Sequence, residues 1–183
     1  AGSAELGDAL RAYLQGRADD ANAQRRVRES ARQLARLIES DESARFDEDA
    51  AARIVRWAYP ERIARRRAGQ TGVYLCEDGA EARIHERDAL AQSEWLAIAH
   101  WDPGPPRKLR QALALREADL LRDHAARIRT SLDVRWDAQT EAVVAEEQKR
   151  LGAIVLERRT AKEMAGEGVR GAMIAGIRSL RLG

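Results

Sequence analysis

The 183-residue chain sets 32 Lys and Arg against 30 Asp and Glu, so a charged fraction of 34% leaves a formal charge of only +2. That balance carries no global signal for a polyanionic partner, and any nucleic-acid contact has to be a local patch. Cys76 is the only cysteine, which excludes an intrachain disulfide and suits a reducing, cytoplasmic compartment. No apolar run reaches the roughly 18 residues of a membrane span, and Ala1-Gly2-Ser3-Ala4-Glu5 lacks the basic and apolar regions of a signal peptide. A cytoplasmic protein of one medium domain or two small ones is expected, without contact to a membrane. The basic residues are nearly all Arg, with Lys only at 108, 149 and 162, a bias that an Ala/Arg-rich genome produces by itself.

The first third has helical spacing. Ser3 precedes Leu6, Leu10, Tyr13 and Leu14 on one face, and Gly16 supplies a stop. From an Asn22 cap, Val27, Ala31, Leu34 and Ile38 form a stripe between Arg26, Arg28, Arg32 and Arg36. Asp47, Glu48 and Asp49 suit a third helix N-terminus, ahead of Ala51, Ile54, Val55 and Ala58, and Pro60 ends that helix. Glu61 to Arg67 then reads as a compact basic turn of helix before Gly69-Gln70-Thr71-Gly72.

After Gly72 the period becomes strand-like. Val73–Cys76 and Ala82–His85 form a hairpin across Glu77-Asp78-Gly79. Trp95–Trp101 is an apolar run that fits a buried strand, Asp102–Pro106 a loop, and Lys108–Leu115 a further strand. Helical spacing returns from Glu117 to Arg129. Leu132–Trp136 pairs with Ala142–Ala145, Ala153–Leu156 adds a strand, and a helix closes the chain from about Glu163 to Leu180. The expected class is α+β: an N-terminal helical segment (1–70), a small antiparallel OB-like barrel with an inserted helix (71–160), and a C-terminal helix (161–183). Periodicity alone equally allows another compact α+β sheet.

Several chemistries find no residues. None of the three lysines follows a glycine, so the Gly-Lys-Ser/Thr of a phosphate-binding loop is missing. Asp41-Glu42-Ser43-Ala44 superficially suggests a DEAH box but has no histidine. His85, His100 and His124 lie far from one another and from Cys76, which does not make a metal site. No Gly-x-Ser-x-Gly elbow occurs, and the acidic residues are too scattered to nominate an acid and base.

From Trp57 to Leu156 the order of short motifs resembles the C-terminal accessory region of HrpB-type RNA helicases in the DEAH/RHA group. Ala58–Arg67 is similar to the end of that family's helical ratchet-like domain, and Gly72-Val73-Tyr74-Leu75 with Gly79, Ala82 and Ile84 to its first OB hairpin. Trp95–Ala99, Glu117–Leu120, Val134–Asp137 and Arg150–Leu156 continue the order, and Gly168, Ala172 and Gly176 resemble the helix after the barrel. Glu146 and Glu147 depart from the basic character expected beside RNA. The resemblance implies a parent ATP-dependent RNA helicase whose ATP and magnesium sit in motor domains outside this chain. This region itself would be non-catalytic and cofactor-free, and would help to form the single-stranded RNA channel beside those motor domains.

The strongest local patch is Arg62, Arg65, Arg66 and Arg67, with Tyr74 shortly after. Guanidinium groups neutralise phosphates while an exposed aromatic stacks on a base; a solvated helix end would carry the same cations. Arg66 is the member that helical geometry most readily turns inward. Arg83, Arg129 and Arg135 are further candidate contacts on the barrel surface, while Trp95, Trp101 and Trp136 are assigned to the core. The competing expectation is a structural or regulatory module that binds a protein partner and no RNA.

Overall fold

The computed structural model describes residues 3–17, 20–38, 46–161 and 167–179, so Asp41–Ala44 lies outside it. By contacts the chain forms two compact units, Ala1–Cys76 with Ala80–Leu120, and Glu77–Gly79 with Leu121–Gly183.

The first unit opens with helices α1 (Leu6–Leu14), α2 (Ala21–Ile38) and α3 (Glu48–Ala58). Short acidic side chains start them, because the first helical N–H groups have no partner within the helix. Glu5 accepts from the Gly7 N–H, Asp20 rather than Asn22 from Asn22 and Ala23, and Asp47 from Asp49. A five-stranded barrel follows, of β1 (Ile63–Arg66), β2 (Val73–Cys76), β3 (Glu81–Arg83), β4 (Trp95–Asp102) and β5 (Arg107–Leu115). It closes in the order β1-β2-β3-β5-β4 and is OB-like. All its pairings are antiparallel except β3 with β5, which is parallel, so the barrel is mixed and not the antiparallel one expected.

The expected turn of helix at Glu61–Arg67 is corrected to a strand. Ala64 pairs with Cys76 on one side and Leu96 on the other, and both flanks of β1 are thereby hydrogen-bonded. Ile-Ala-Arg-Arg has no strong preference of its own, and a four-residue helix would bury far less than this doubly paired strand does. The division expected at residues 70 and 71 therefore runs through the barrel's first hairpin. Gly72 sits in that hairpin's turn with φ +71°, and its N–H donates to the Ala91 carbonyl at 3.1 Å.

Inside the barrel lie Ala64, Tyr74, Cys76, Ala82, Ile84, Leu96, Ile98, Leu109 and Ala112, with Leu90 and Ala91 of a short 3-10 helix (Ala89–Gln92) in the same cluster. This 3-10 helix is the element inserted into the barrel. On the outer face Ile63, Trp95, Ala97 and Leu113 are also buried, where α3 packs against β4 and β5. Burial on both faces is why Trp95–Ile98 reads as a continuous apolar run.

The expected helix Glu117–Arg129 is shorter, α4 spanning Glu117–Asp123, because Ala125–Arg127 tightens to a 3-10 turn and Arg129 already begins a strand. In the second unit β6 (Arg129–Asp137), β7 (Ala142–Leu151) and β8 (Ile154–Thr160) form an antiparallel sheet of their own, so these strands are not part of the barrel as expected. Helix α5 (Glu167–Ser179) packs on β6 and β7. Gly176 meets Trp136 there: a Cβ at this position would lie 2.3 Å from the indole. Trp136 is accordingly half-buried against the helix, and Trp95 is fully buried. No described helix is long and apolar enough to cross a membrane.

Candidate nucleic-acid interface

The hairpin separates the expected arginine patch into two sets by strand alternation. Arg65 and Arg67 face outward and Arg66 lies on the interior side, half-buried opposite Tyr74. Tyr74 is corrected from a stacking residue to a core one. It is fully buried, and its hydroxyl donates towards the Leu90 carbonyl at 2.5 Å and the Ser93 carbonyl at 3.0 Å. A ring enclosed in the barrel has no face for a base.

The outward arginines already have carboxylates. Arg65 grips Glu94 through Nε at 3.2 Å and Nη2 at 2.8 Å, and its guanidinium lies 5.0 Å from the Trp95 ring centroid. Arg83 reaches Glu81 at 2.7 Å, and Arg67 reaches the other oxygen of the same carboxylate at 3.6 Å. In the second unit Arg135 lies 3.5 Å from Glu146 and 3.9 Å from Asp133, while Arg129 donates to the Ala126 carbonyl at 2.7 Å. A phosphate at Arg65, Arg67, Arg83 or Arg135 would have to compete with an existing carboxylate.

Arg62 likewise has a carboxylate, Glu61 at 3.6 Å, and its Nη1 also donates to the Ala99 carbonyl at 3.1 Å. Its guanidinium lies 4.3 Å from the Tyr59 ring centroid and 5.1 Å from that of Trp101. Arg107 covers Trp101 in turn at 4.5 Å. Tyr59, Arg62, Trp101 and Arg107 thus form an alternating ladder of rings and cations at the end of the barrel where β4 stops and β5 starts.

A bulge builds this ladder. The β4–β5 register shifts on both sides of His100, leaving Ala99 of β4 and Arg110 of β5 without ladder partners. An extra residue on each strand inverts that strand's alternation. Ile98 lies inside opposite Ala112, and Trp101 then comes to the same side opposite Leu109, although residue parity would turn it outward. Arg62 holds the bulge from below, its backbone carbonyl accepting from the Ile98 N–H at 2.9 Å and its side chain reaching Ala99. Nearby, Arg110 donates to Asp102 at 2.8 Å and holds that carboxyl below its usual range.

Sequence reading therefore finds Arg62 and misses Tyr59, Trp101 and Arg107 as its companions. Tyr59 stands only as a motif letter and Trp101 as a core residue. The signal available was a tryptophan just before, and an arginine just after, a Pro/Gly loop that joins two strands.

The connector region of the ATP-dependent RNA helicase HrpB matches residues 127–160, the span of β6 to β8. Over its whole length the chain is similar to part of the crystal structure of the E. coli DExH-box NTPase HrpB, with 25% identity and a TM-score of 0.69. The chain resembles a C-terminal region of HrpB. A second crystal structure, of the E. coli DEAH/RHA helicase HrpB, gives 24% identity and the same TM-score. The chain spans 21% and 22% of the length of those two proteins. No curated protein matches it.

The burial of Tyr74 has a consequence in alkali. Desolvation pushes its phenol up to about 12, against a weaker lowering by Arg66 and a small rise from Asp88. The folded value lies above the unfolded one near 10, so the stabilising effect is complete below about pH 10 and is lost as pH rises towards 12. Stability should fall by roughly 1.4 kcal/mol per pH unit across that window. Tyr74→Phe should remove this slope from a denaturant-melt series and cost about 1–2 kcal/mol at neutral pH, because two carbonyls lose their donor. RNA affinity should not change.

Proposed function

We propose that the chain is a non-catalytic accessory region of an HrpB-type ATP-dependent RNA helicase, lining the path of single-stranded RNA beside the motor domains. The observation that carries this is the likeness to HrpB over the entire chain, joined to the connector-region match at residues 127–160. ATP and magnesium belong in this reading to the motor domains, since no lysine of the chain stands in a phosphate-binding loop. The cytoplasm is the compartment that its single, buried cysteine suits. Partners are single-stranded RNA and the motor domains of the same parent protein.

A second reading, a structural module that touches no RNA, draws on the ion pairs Arg65–Glu94, Arg67–Glu81 and Arg83–Glu81. These neutralise cations that the sequence offers to phosphate. The purified chain titrated with oligouridylate at several salt concentrations separates the two. If it contacts RNA, changing Arg62, Arg65 and Arg67 together to Gln should lower affinity without sequence preference and shrink the log–log salt slope by roughly 0.7 per phosphate lost. Wild-type protein without measurable binding, or a triple variant with unchanged affinity and slope, would favour the structural module.

A further inference from the structure

We propose that the row Arg25, Arg28, Arg32 and Arg36 on helix α2 is a contact for consecutive phosphates of single-stranded RNA, a placement that rests on the RNA-binding reading above. The first observation is where the charge sits. Helix α2 (Ala21–Ile38) holds five arginines and a single acidic residue, Glu29, a formal charge of +4. The whole chain carries only +2, so everything outside this helix is net acidic. Positive charge is thus concentrated on one element, which the overall balance conceals.

The second observation is geometry. At 3.6 residues per turn the four arginines fall within about 80° of the helix circumference and rise along roughly 16 Å of its length. All four are exposed. Arg25 donates to the Asn22 side-chain oxygen at 3.0 Å, and the Arg28 guanidinium lies 5.9 Å from the Tyr13 ring centroid. Both contacts are with neutral groups and leave the charge in place. Among the described residues no ion pair joins any of the four to a carboxylate, Glu29 included. The barrel arginines differ in this respect, since Arg65, Arg67 and Arg83 each meet Glu94 or Glu81.

A linear polyanion suits such a row better than a membrane does. The exposed apolar residues of α2, Val27, Leu34 and Leu37, lie on the other side of the helix from the row. Were that side buried in a bilayer, the arginines would point into water, away from the headgroups. A strand passing along the row needs nothing from the apolar side. One cation per turn meets a chain that carries one charge per unit, and each guanidinium can grip two phosphate oxygens.

The test titrates the full chain with fluorescein-labelled oligouridylate by anisotropy at several salt concentrations. One variant changes Arg25, Arg28, Arg32 and Arg36 together to Gln, a residue of nearly the same helix propensity, so its circular dichroism should match the wild type. The log–log salt slope should shrink by roughly 0.7 per arginine, and affinity at about 0.1 M salt should fall about 100- to 1000-fold. Val27→Gln with Leu34→Gln, on the other side of the same helix, should leave both unchanged. A quadruple variant with the affinity and slope of a wild type that binds overturns the row and leaves RNA binding intact. A wild type that binds no oligouridylate overturns the RNA-binding reading and this site with it. Equally tight binding of polyglutamate of the same length overturns RNA as the ligand. So does binding to vesicles of phosphatidylcholine and phosphatidylserine that the Val27→Gln, Leu34→Gln variant loses. Should the quadruple variant lose helicity, Arg32→Gln alone decides: a slope smaller by roughly 0.7 supports the row, and an unchanged slope overturns it.

Discussion

A fragment running from Thr71 to Leu156 should stay unfolded, although the change of period after Gly72 marks Thr71 as the start of a barrel. Such a fragment lacks β1, which pairs with β2 on one side and with β4 on the other. Without it the closed barrel becomes a sheet with two open edges, and the interior faces of Cys76, Leu96 and Ile98 meet water. It also lacks α3, so Trp95, Ala97 and Leu113 are uncovered on the other face. Fully burying a large apolar side chain contributes about 1.5–3 kcal/mol, and a domain's whole margin is about 5–15 kcal/mol, so exposure of this many exceeds it. Far-UV circular dichroism and a thermal melt of the fragment should show no cooperative transition. The full chain should melt cooperatively under the same conditions. A β-rich, cooperatively melting fragment would mean that the barrel does not depend on β1.

Gly72→Ala should be the most damaging single methyl addition in the barrel. The residue holds φ +71°, and a Cβ there would stand 2.6 Å from the Ile84 carbonyl oxygen, which is backbone and cannot rotate away. That spot is crowded because the Gly72 carbonyl accepts from the Ile84 N–H at 2.9 Å while its own N–H donates to Ala91. Left-handed strain and the collision together should cost about 2–4 kcal/mol, seen as a fall in melting temperature of roughly 5–15 °C. Gly69→Ala provides the contrast. It has a similar φ of +72° but nothing within 4 Å of the added Cβ, so it should show the smaller loss of backbone strain alone. Equal effects at the two glycines would remove the collision from the explanation.

Some of this was legible residue by residue. The β2–β3 hairpin follows from alternation on either side of Asp78-Gly79, and the loop between β4 and β5 from prolines that cannot donate to a ladder. The apolar run Trp95–Ile98 announces a strand buried on both faces. The order of short motifs was enough to indicate the HrpB likeness that structural similarity over the whole chain bears out.

By itself the sequence determined these local matters, because period, turn chemistry and the absence of a phosphate-binding loop are written within a few neighbouring residues. Only the tertiary structure decided whether Ile63–Arg66 is helix or strand, since its backbone partners lie at Cys76 and Leu96 and its own side chains favour neither state strongly. Charge was settled at the same range. Arg65 meets Glu94 across 29 positions, and no local pattern tells an arginine open to phosphate from one already paired. The ladder needed more still. Trp101 joins Arg62 and Arg107 because register shifts at Ala99 and Arg110 invert the alternation of β4 and β5, and such shifts are set by how two strands register against each other around a closed barrel.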